Sequence, residues 1–293
     1  MTWHHDTLIL LPQYPSRFRQ GNGEAAIFTL SKTEILASLE NTRKGPLSPQ
    51  RLSFFDHDVV NQIEGFEGYE AIAARDGQVF LTIEANARGT MMGYLIAGHL
   101  SPDLSEVHLN PATLTEIPPQ AALDNMTDET LLLAEDILVT LYEANGVNVN
   151  AQPVAHRFDL QLNSIPPTSF PSIEYRITDA TALDDQKHFW AINYFYPGDR
   201  AKLQPTLDPL IQKFEQGTTH ATSEIVERIV AFQYQDSGIS LLDIPPIQLQ
   251  LLDGTARNWE GLVRLADQGF LLVTDEHPRT ILAFVPMPPI DYP

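Results

Sequence analysis

The chain has 293 residues, 43% hydrophobic and 19% charged, enough apolar material for a sizeable core in one large all-β domain or two ordinary ones. A net charge of −20 argues against binding nucleic acid through its phosphates, and it repels an anionic substrate unless a cation or a local arginine cluster intervenes. With no cysteine, disulfides, thiolate metal sites and a cysteine nucleophile are excluded.

The opening Met1-Thr-Trp-His-His-Asp has no basic region, and the apolar run at 8–11 is too short for the core of a signal peptide. If Met1 is the natural start, the expected location is the cytoplasm; a trimmed chain leaves export open. No apolar run approaches the ~18 residues that a membrane span needs.

From residue 24 onward a repeat is visible: a leading acidic or hydroxyl residue, a short apolar strand, a polar turn, and a second apolar strand ending in polar residues. The first copy is Glu24-Ala-Ala-Ile-Phe-Thr-Leu followed by Ile35-Leu-Ala-Ser-Leu-Glu-Asn. The second is Glu70-Ala-Ile-Ala-Ala with Val79-Phe-Leu-Thr-Ile-Glu-Ala-Asn. The third is Glu129-Thr-Leu-Leu-Leu with Ile137-Leu-Val-Thr-Leu-Tyr-Glu-Ala-Asn. The fourth is Thr181-Ala-Leu with Phe189-Trp-Ala-Ile-Asn, and the fifth is Glu260-Gly-Leu-Val-Arg-Leu with Gly269-Phe-Leu-Leu-Val-Thr-Asp. Glu84 and Glu143 each follow their leading Glu by fourteen positions.

Weaker strand candidates follow several copies, at 93–97, 106–109, 154–160, 228–234 and 239–242. The segments often close on Ile-Pro-Pro, at 117–119, 165–167 and 244–246. Proline at the outer edge of a sheet costs no ladder bond, so four strands and an edge breaker read as one propeller blade. The expected fold is therefore all-β, a single β-propeller over 1–293 with five blades. A sixth would have to hide in an insertion at about 200–226, where Asp208 and Pro209 announce a short helix. The last blade supplies only three strands and residues 7–11 form an orphan strand, so pairing 7–11 with 281–285 would close the ring and remove its edges.

In such a ring the leading residues Glu24, Glu70, Glu129, Thr181 and Glu260 fall on one circle around the axis. The trailing residues Glu40, Glu84, Glu143, Asn193 and Asp275 or Glu276 fall at the same mouth. Carboxylates crowded on a narrow axis repel one another and resist ionisation. A calcium ion, with six to eight oxygen ligands, would relieve this better than magnesium, which demands a tighter octahedron. The other reading is that these are solvated strand ends, or pair with Arg75, Arg88 or Arg257. Arg43 with Lys44, Arg88, Arg200 and Arg279 follow second strands and would reach a phosphate over the channel, or else are loop charges. Asp56-His57-Asp58 has metal-ligand chemistry but reads as a solvated edge, and the aromatic run at 189–196 reads as packing between blades. Walker, dinucleotide, His-Glu-x-x-His and Gly-x-Ser-x-Gly motifs are lacking.

The stretch Asn258-Trp-Glu-Gly-Leu-Val-Arg-Leu-Ala-Asp-Gln-Gly-Phe-Leu-Leu-Val-Thr-Asp-Glu-His resembles the blade signature of the esterase-like phytase family, and Tyr69-Glu-Ala-Ile-Ala-Ala-Arg-Asp-Gly-Gln-Val-Phe-Leu-Thr-Ile-Glu resembles it too. The ring of Glu24, Glu70, Glu129, Thr181 and Glu260 resembles the axial ring of the calcium-activated nucleotidase (apyrase) family, although with four Glu and one Thr it is more acidic. The resemblances imply a propeller with an axial calcium. Two functions follow: a module binding a small-molecule or phosphate-bearing ligand or a partner, with calcium as a plug, or a calcium-dependent phosphoester or phosphoanhydride hydrolase. Convergence of the Arg set on the metal favours the hydrolase, and dispersal favours the binding module.

Overall fold

The computed structural model describes residues 1–293 except 22, 252–253, 276–278 and 290–293. The chain divides into two compact units, Met1–Pro118 and Pro119–Pro293. Among the described residues no helix is long and apolar enough to cross a membrane.

In the first unit, strands β1 (Thr2–His4), β2 (Thr7–Leu10), β3 (Ala25–Ser31) and β4 (Gln50–Phe55) form an antiparallel meander. A second meander contains β5 (Phe66–Arg75), β6 (Gln78–Ala87), β7 (Thr90–Leu100) and β8 (Glu106–Leu109), with β9 (Thr115–Ile117) added to β7. The two join through a parallel β4–β8 pair, and β1 lies alongside β5, so the sheet is a nearly closed barrel. Ile9, Ile27, Leu52, Leu81, Ile83 and Ile96, taken at alternate positions along their strands, fill its interior.

Two expectations fail in this unit. Residues 35–41 do not form a strand: Lys32–Leu39 is a helix. Its Lys-Thr-Glu-Ile-Leu-Ala-Ser-Leu sequence is rich in helix formers. Left-handed Asn41 (φ 55°) ends it, with the Asn41 and Thr42 amides returning to the Ser38 and Ala37 carbonyls. Nor does the 7–11 strand close a ring against 281–285. Both edges of β2 are filled, by β1 and β3. The β1–β2 turn is a tight one through left-handed His5, so this pairing closes almost no loop and forms at little entropic cost.

The second unit shows the propeller construction directly. Blade-type sheets contain β10 (Asp128–Ala134), β11 (Ile137–Tyr142), β12 (Val154–Asp159) and β13 (Ser164–Ser169). The next contains β14 (Arg176–Ala180), β15 (His188–Phe195), β16 (Val226–Gln235) and β17 (Gly238–Leu241), with β18 (Ile247–Gln248) on β16. The last has β19 (Trp259–Leu265), β20 (Gly269–Thr274) and β21 (Leu282–Pro286). Each is an antiparallel meander in chain order, and the first strands β10, β14 and β19 lie beside one another in turn. This is how propeller blades are built, and the chain is of that all-β class. Pro166 and Pro167 sit in edge strand β13, where no further strand needs their missing N–H groups.

The β15 sequence shows why the blades stack. Phe189 and Ala191 pack towards the β10–β13 sheet with Leu132, Val139 and Phe232. The alternate residues Trp190, Ile192 and Tyr194 pack towards the β19–β21 sheet with Trp259, Leu262 and Phe270. A strand apolar on both faces must be covered on both faces, and each large side chain so buried contributes about 1.5–3 kcal/mol. Between β15 and β16 lies the inserted segment. Its helix Pro209–Phe214 is capped by Asp208, whose Oδ1 accepts from the Leu210 amide at 2.9 Å.

Candidate functional site

The leading Glu of three hairpins occupies the same structural position, a β-bulge in the first strand. In the β5–β6 pair the register slips between Tyr69 and Ile72, at Glu70. In β10–β11 it slips between Asp128 and Thr130, at Glu129, and in β19–β20 between Trp259 and Gly261, at Glu260. A bulge re-aims a side chain out of the strand's ordinary alternation. In β14–β15 the slip lies between Ile177 and Ala180, so Thr178 and Asp179 hold the corresponding place. Thr178 donates to the Trp259 carbonyl at 2.6 Å, and Asp179 accepts from the Leu262 amide at 2.7 Å. Thr181 lies beyond the end of β14. Its hydroxyl donates to the Ala182 carbonyl and accepts from the Trp190 amide.

In the second unit these bulges feed one buried cluster centred on Arg176, a residue that no repeat pattern singles out. Arg176 Nε donates to Glu143, Nη2 lies 3.6 Å from Glu129, and Nη1 lies 4.0 Å from Asp199. Burial pulls the guanidinium pKa down, but Glu129, Glu260 and Asp199 together outweigh it and raise it. The guanidinium also lies 5.6 Å from the centre of the Tyr194 ring. Burial pushes the Tyr194 phenol pKa up; Arg176 opposes that shift, and Glu227, Asp199 and Glu260 reinforce it. Glu143 is fully buried, and among the described residues its second oxygen, Oε2, has no hydrogen-bond donor. Three carboxylates thus lie within 4.0 Å of this guanidinium, and Glu260, which accepts from Asn258 Nδ2, adds its charge from further off.

Two further arginines are committed nearby, Arg228 fully buried and Arg257 partly so. Arg228 pairs with Asp208 at 2.7 Å and donates from Nε to Asn193 Oδ1 at 2.8 Å. Asn193 Nδ2 in turn donates to the carbonyls of Glu174 and Arg176, which fixes the backbone under the Arg176 side chain. Arg257 donates twice to Glu227 Oε2 from its side chain, and once to Oε1 from its backbone. Trp259 Nε1 donates to the same carboxylate at 2.8 Å. Arg257 was an expected partner of a leading Glu; it is instead committed to Glu227.

In the first unit Glu70 accepts from Gln13 Nε2 at 3.1 Å, and Glu84 is buried. The Tyr14 phenol, with Arg17 4.2 Å from its ring centre, is pushed up first by burial, then by Glu70, with lesser upward pushes from Glu67 and Glu84. Glu24 is exposed just before β3, and Glu40 is an exposed residue at the C-cap of the Lys32–Leu39 helix. Glu40 is therefore not the end of a second strand, because that segment is helical. Among the Arg set, Arg43 pairs with Glu34 at 3.3 Å, Arg88 with Glu64 at 2.8 Å and Arg200 with Glu224 at 3.3 Å. Arg279 is exposed and its carbonyl accepts from the Thr274 hydroxyl. The Asp275 amide donates to the Asn258 carbonyl; Glu276 lies outside the described residues.

The donor chemistry of the Arg176 cluster, all carboxylate oxygen, suits calcium. The arrangement suits it less, because Arg176 already serves as the cation for Glu143 and Glu129. Among the described residues no group of three or more His, Asp or Glu side chains is set to hold a metal ion.

Neither a protein-family model nor a curated protein matches the chain. Solved structures similar to it include a glycosyl hydrolase from Bacteroides ovatus, at 10% identity and a TM-score of 0.47 over 95% of this chain and 80% of that one. A GH43 endo-arabinanase from Bacillus licheniformis aligns at 10% identity and a TM-score of 0.45 over 97% of this chain and 92% of that one. A GH32 β-fructofuranosidase from Bombyx mori aligns at 11% identity and a TM-score of 0.47 over 93% and 53%.

Proposed function

We propose that the protein is a non-catalytic binding module of the propeller class, in which the carboxylates around Arg176 recruit a cation, calcium first, to organise a ligand site. The observation that carries this reading is the crowding of carboxylates at one buried place: Glu143, Glu129 and Asp199 lie within 4.0 Å of the Arg176 guanidinium, and Glu260 is near enough to raise its pKa. Carboxylates so crowded repel one another, and a bound cation lowers that cost. The bulges at Glu129 and Glu260 keep those side chains out of the sheet's regular alternation, as a binding group requires. Local pairing of Arg43, Arg88 and Arg200 with surface carboxylates disfavours the phosphohydrolase alternative, which needs those cations for substrate.

Thermal unfolding with EDTA and with added calcium tests the proposal. A ligand that binds only the folded state stabilises it by about 2.7 kcal/mol at a hundredfold excess over Kd. Calcium is expected to raise the unfolding temperature, and Glu260→Gln to diminish that rise, whereas Glu24→Gln, at an exposed position, leaves it intact. Unfolding indifferent to calcium and EDTA would reject the cation. Phosphoester turnover that disappears in Glu129→Gln would reject the non-catalytic reading.

A further inference from the structure

The parallel β4–β8 pair of the first unit brings together side chains that are far apart in the chain. Its register sets Phe55 opposite His108, and the antiparallel β7–β8 register sets His99 opposite His108. The His108 ring is therefore flanked on one side by Phe55, at 4.4 Å and 1° from parallel, and on the other by His99, at 5.2 Å and 11°. His57 lies in the turn two residues beyond Phe55, and its ring stacks near that of His108, with centroids 5.4 Å apart. It sits in a left-handed turn with Asp58, at φ 51° and 71°, and its Nε2 lies 3.2 Å from His108 Nδ1. The other nitrogen of His108, Nε2, lies 3.0 Å from Glu106 Oε2.

We propose that His57 Nε2 and His108 Nδ1 form a binding site for a borderline transition-metal cation such as Zn(II), with Glu106 orienting His108 and solvent completing the coordination. The tautomers follow from the partners. An ionised carboxylate only accepts, so His108 donates from Nε2–H to Glu106 and keeps a lone pair on Nδ1. Without metal, His57 donates from Nε2–H to that lone pair. Two imidazole nitrogens bound tetrahedrally to one zinc at the usual 2.0–2.1 Å stand about 3.4 Å apart, so the 3.2 Å pair already has the separation, and the rings need to turn rather than part to admit the ion. On binding, neutral His57 moves its proton to Nδ1 through water, its Nε2 lone pair turns to the metal, and bound waters leave the ion; no net charge or electron is transferred. The Glu106–His108 bond is then the carboxylate–histidine–metal relay that fixes ring orientation and raises ligand basicity. Stacking of His108 between Phe55 and His99 holds its ring plane in advance. The exposure of His57 leaves the ion a route in. Imidazole nitrogen separates this site from the all-oxygen cluster of the second unit, which suits calcium.

The test is isothermal titration of zinc chloride into the full chain at pH 7.5, with His57→Gln, His108→Gln, Glu106→Gln and a His4→Gln/His5→Gln variant. One site is expected. His57→Gln and His108→Gln should each lower affinity at least about tenfold, and Glu106→Gln by about 10–100-fold. The His4/His5 variant, which removes an adjacent pair elsewhere in the unit, should leave it unchanged. Long-range nitrogen NMR of the wild-type histidine rings gives the answer even if a variant fails to fold: zinc should shift His57 Nε2 and His108 Nδ1. Absence of binding, or binding and shifts confined to His4 and His5, would overturn the proposal.

Discussion

Asp128 offers a pH experiment whose sign and size both follow from its surroundings. It sits on β10 directly before the Glu129 bulge, 2% exposed, and accepts from the Thr140 hydroxyl at 2.7 Å. Burial pushes its pKa up to about 6, against smaller downward pulls from His156 and from the Thr140 hydrogen bond. The folded state therefore holds the proton more tightly than the unfolded state does. Below about pH 4 both states are protonated and the site carries no penalty. As pH rises from about 4 to 6 the unfolded chain ionises first, and stability is lost. A rise of roughly 2 units corresponds to about 3 kcal/mol of lost stability above pH 6. Asp128→Asn removes the ionisation while keeping an oxygen for Thr140. In urea unfolding, the variant should exceed the wild type by about 1–3 kcal/mol at pH 7.5, with the gap closing towards pH 4. A variant weaker than the wild type at pH 7.5, with the difference shrinking on acidification, is the contrary outcome. It would mean that ionised Asp128 is held by a partner, His156 foremost.

Arg176→Met should destabilise the fold by about 3–5 kcal/mol at neutral pH, because it leaves Glu129 and Glu143 buried without their cation. Part of that loss should return at pH 4 as the carboxylates protonate, and urea titrations at both pH values check it. Gly65→Ala should cost about 2 kcal/mol or more by the same assay, because Gly65 has φ 73° and an added Cβ would lie 2.0 Å from the Asn86 carbonyl oxygen. Relief of that clash needs movement of the backbone entering β5, so a neutral substitution would show that this turn is not fixed.

Much of the sheet construction is legible because it is local. Apolar pairs of strands around tight turns, such as 70–74 with 79–86 and 129–133 with 137–145, become β5–β6 and β10–β11, although β11 stops at Tyr142. The edge prolines mark outer strands correctly at 166 and 167. The misread segment at 35–41 has apolar residues that suit either a short strand or a helix, and only its capping geometry decides. Chain ends are harder: a three-stranded last sheet and an orphan first strand suggest closure, but β2 finds nearer partners. The candidate site is only half legible. Glu129, Glu143 and Glu260 stand out because repeated positions recur, whereas Arg176 occurs once and carries no periodic signal. Thr181 and Thr178 are separable only once the bulge is seen, since a register slip leaves no mark in composition. The histidine row of β4, β7 and β8 depends on a parallel pairing between distant segments, which no local pattern announces.

Whether the carboxylates near Arg176 recruit a cation is decided by calorimetric titration of calcium into the wild-type chain and into the Glu129→Gln/Glu260→Gln double variant. Saturable binding to the wild type is expected, with at least a tenfold loss of affinity in a double variant that still folds, since two charged oxygen donors are removed. Equal binding by the two proteins, or none by the wild type, would contradict it.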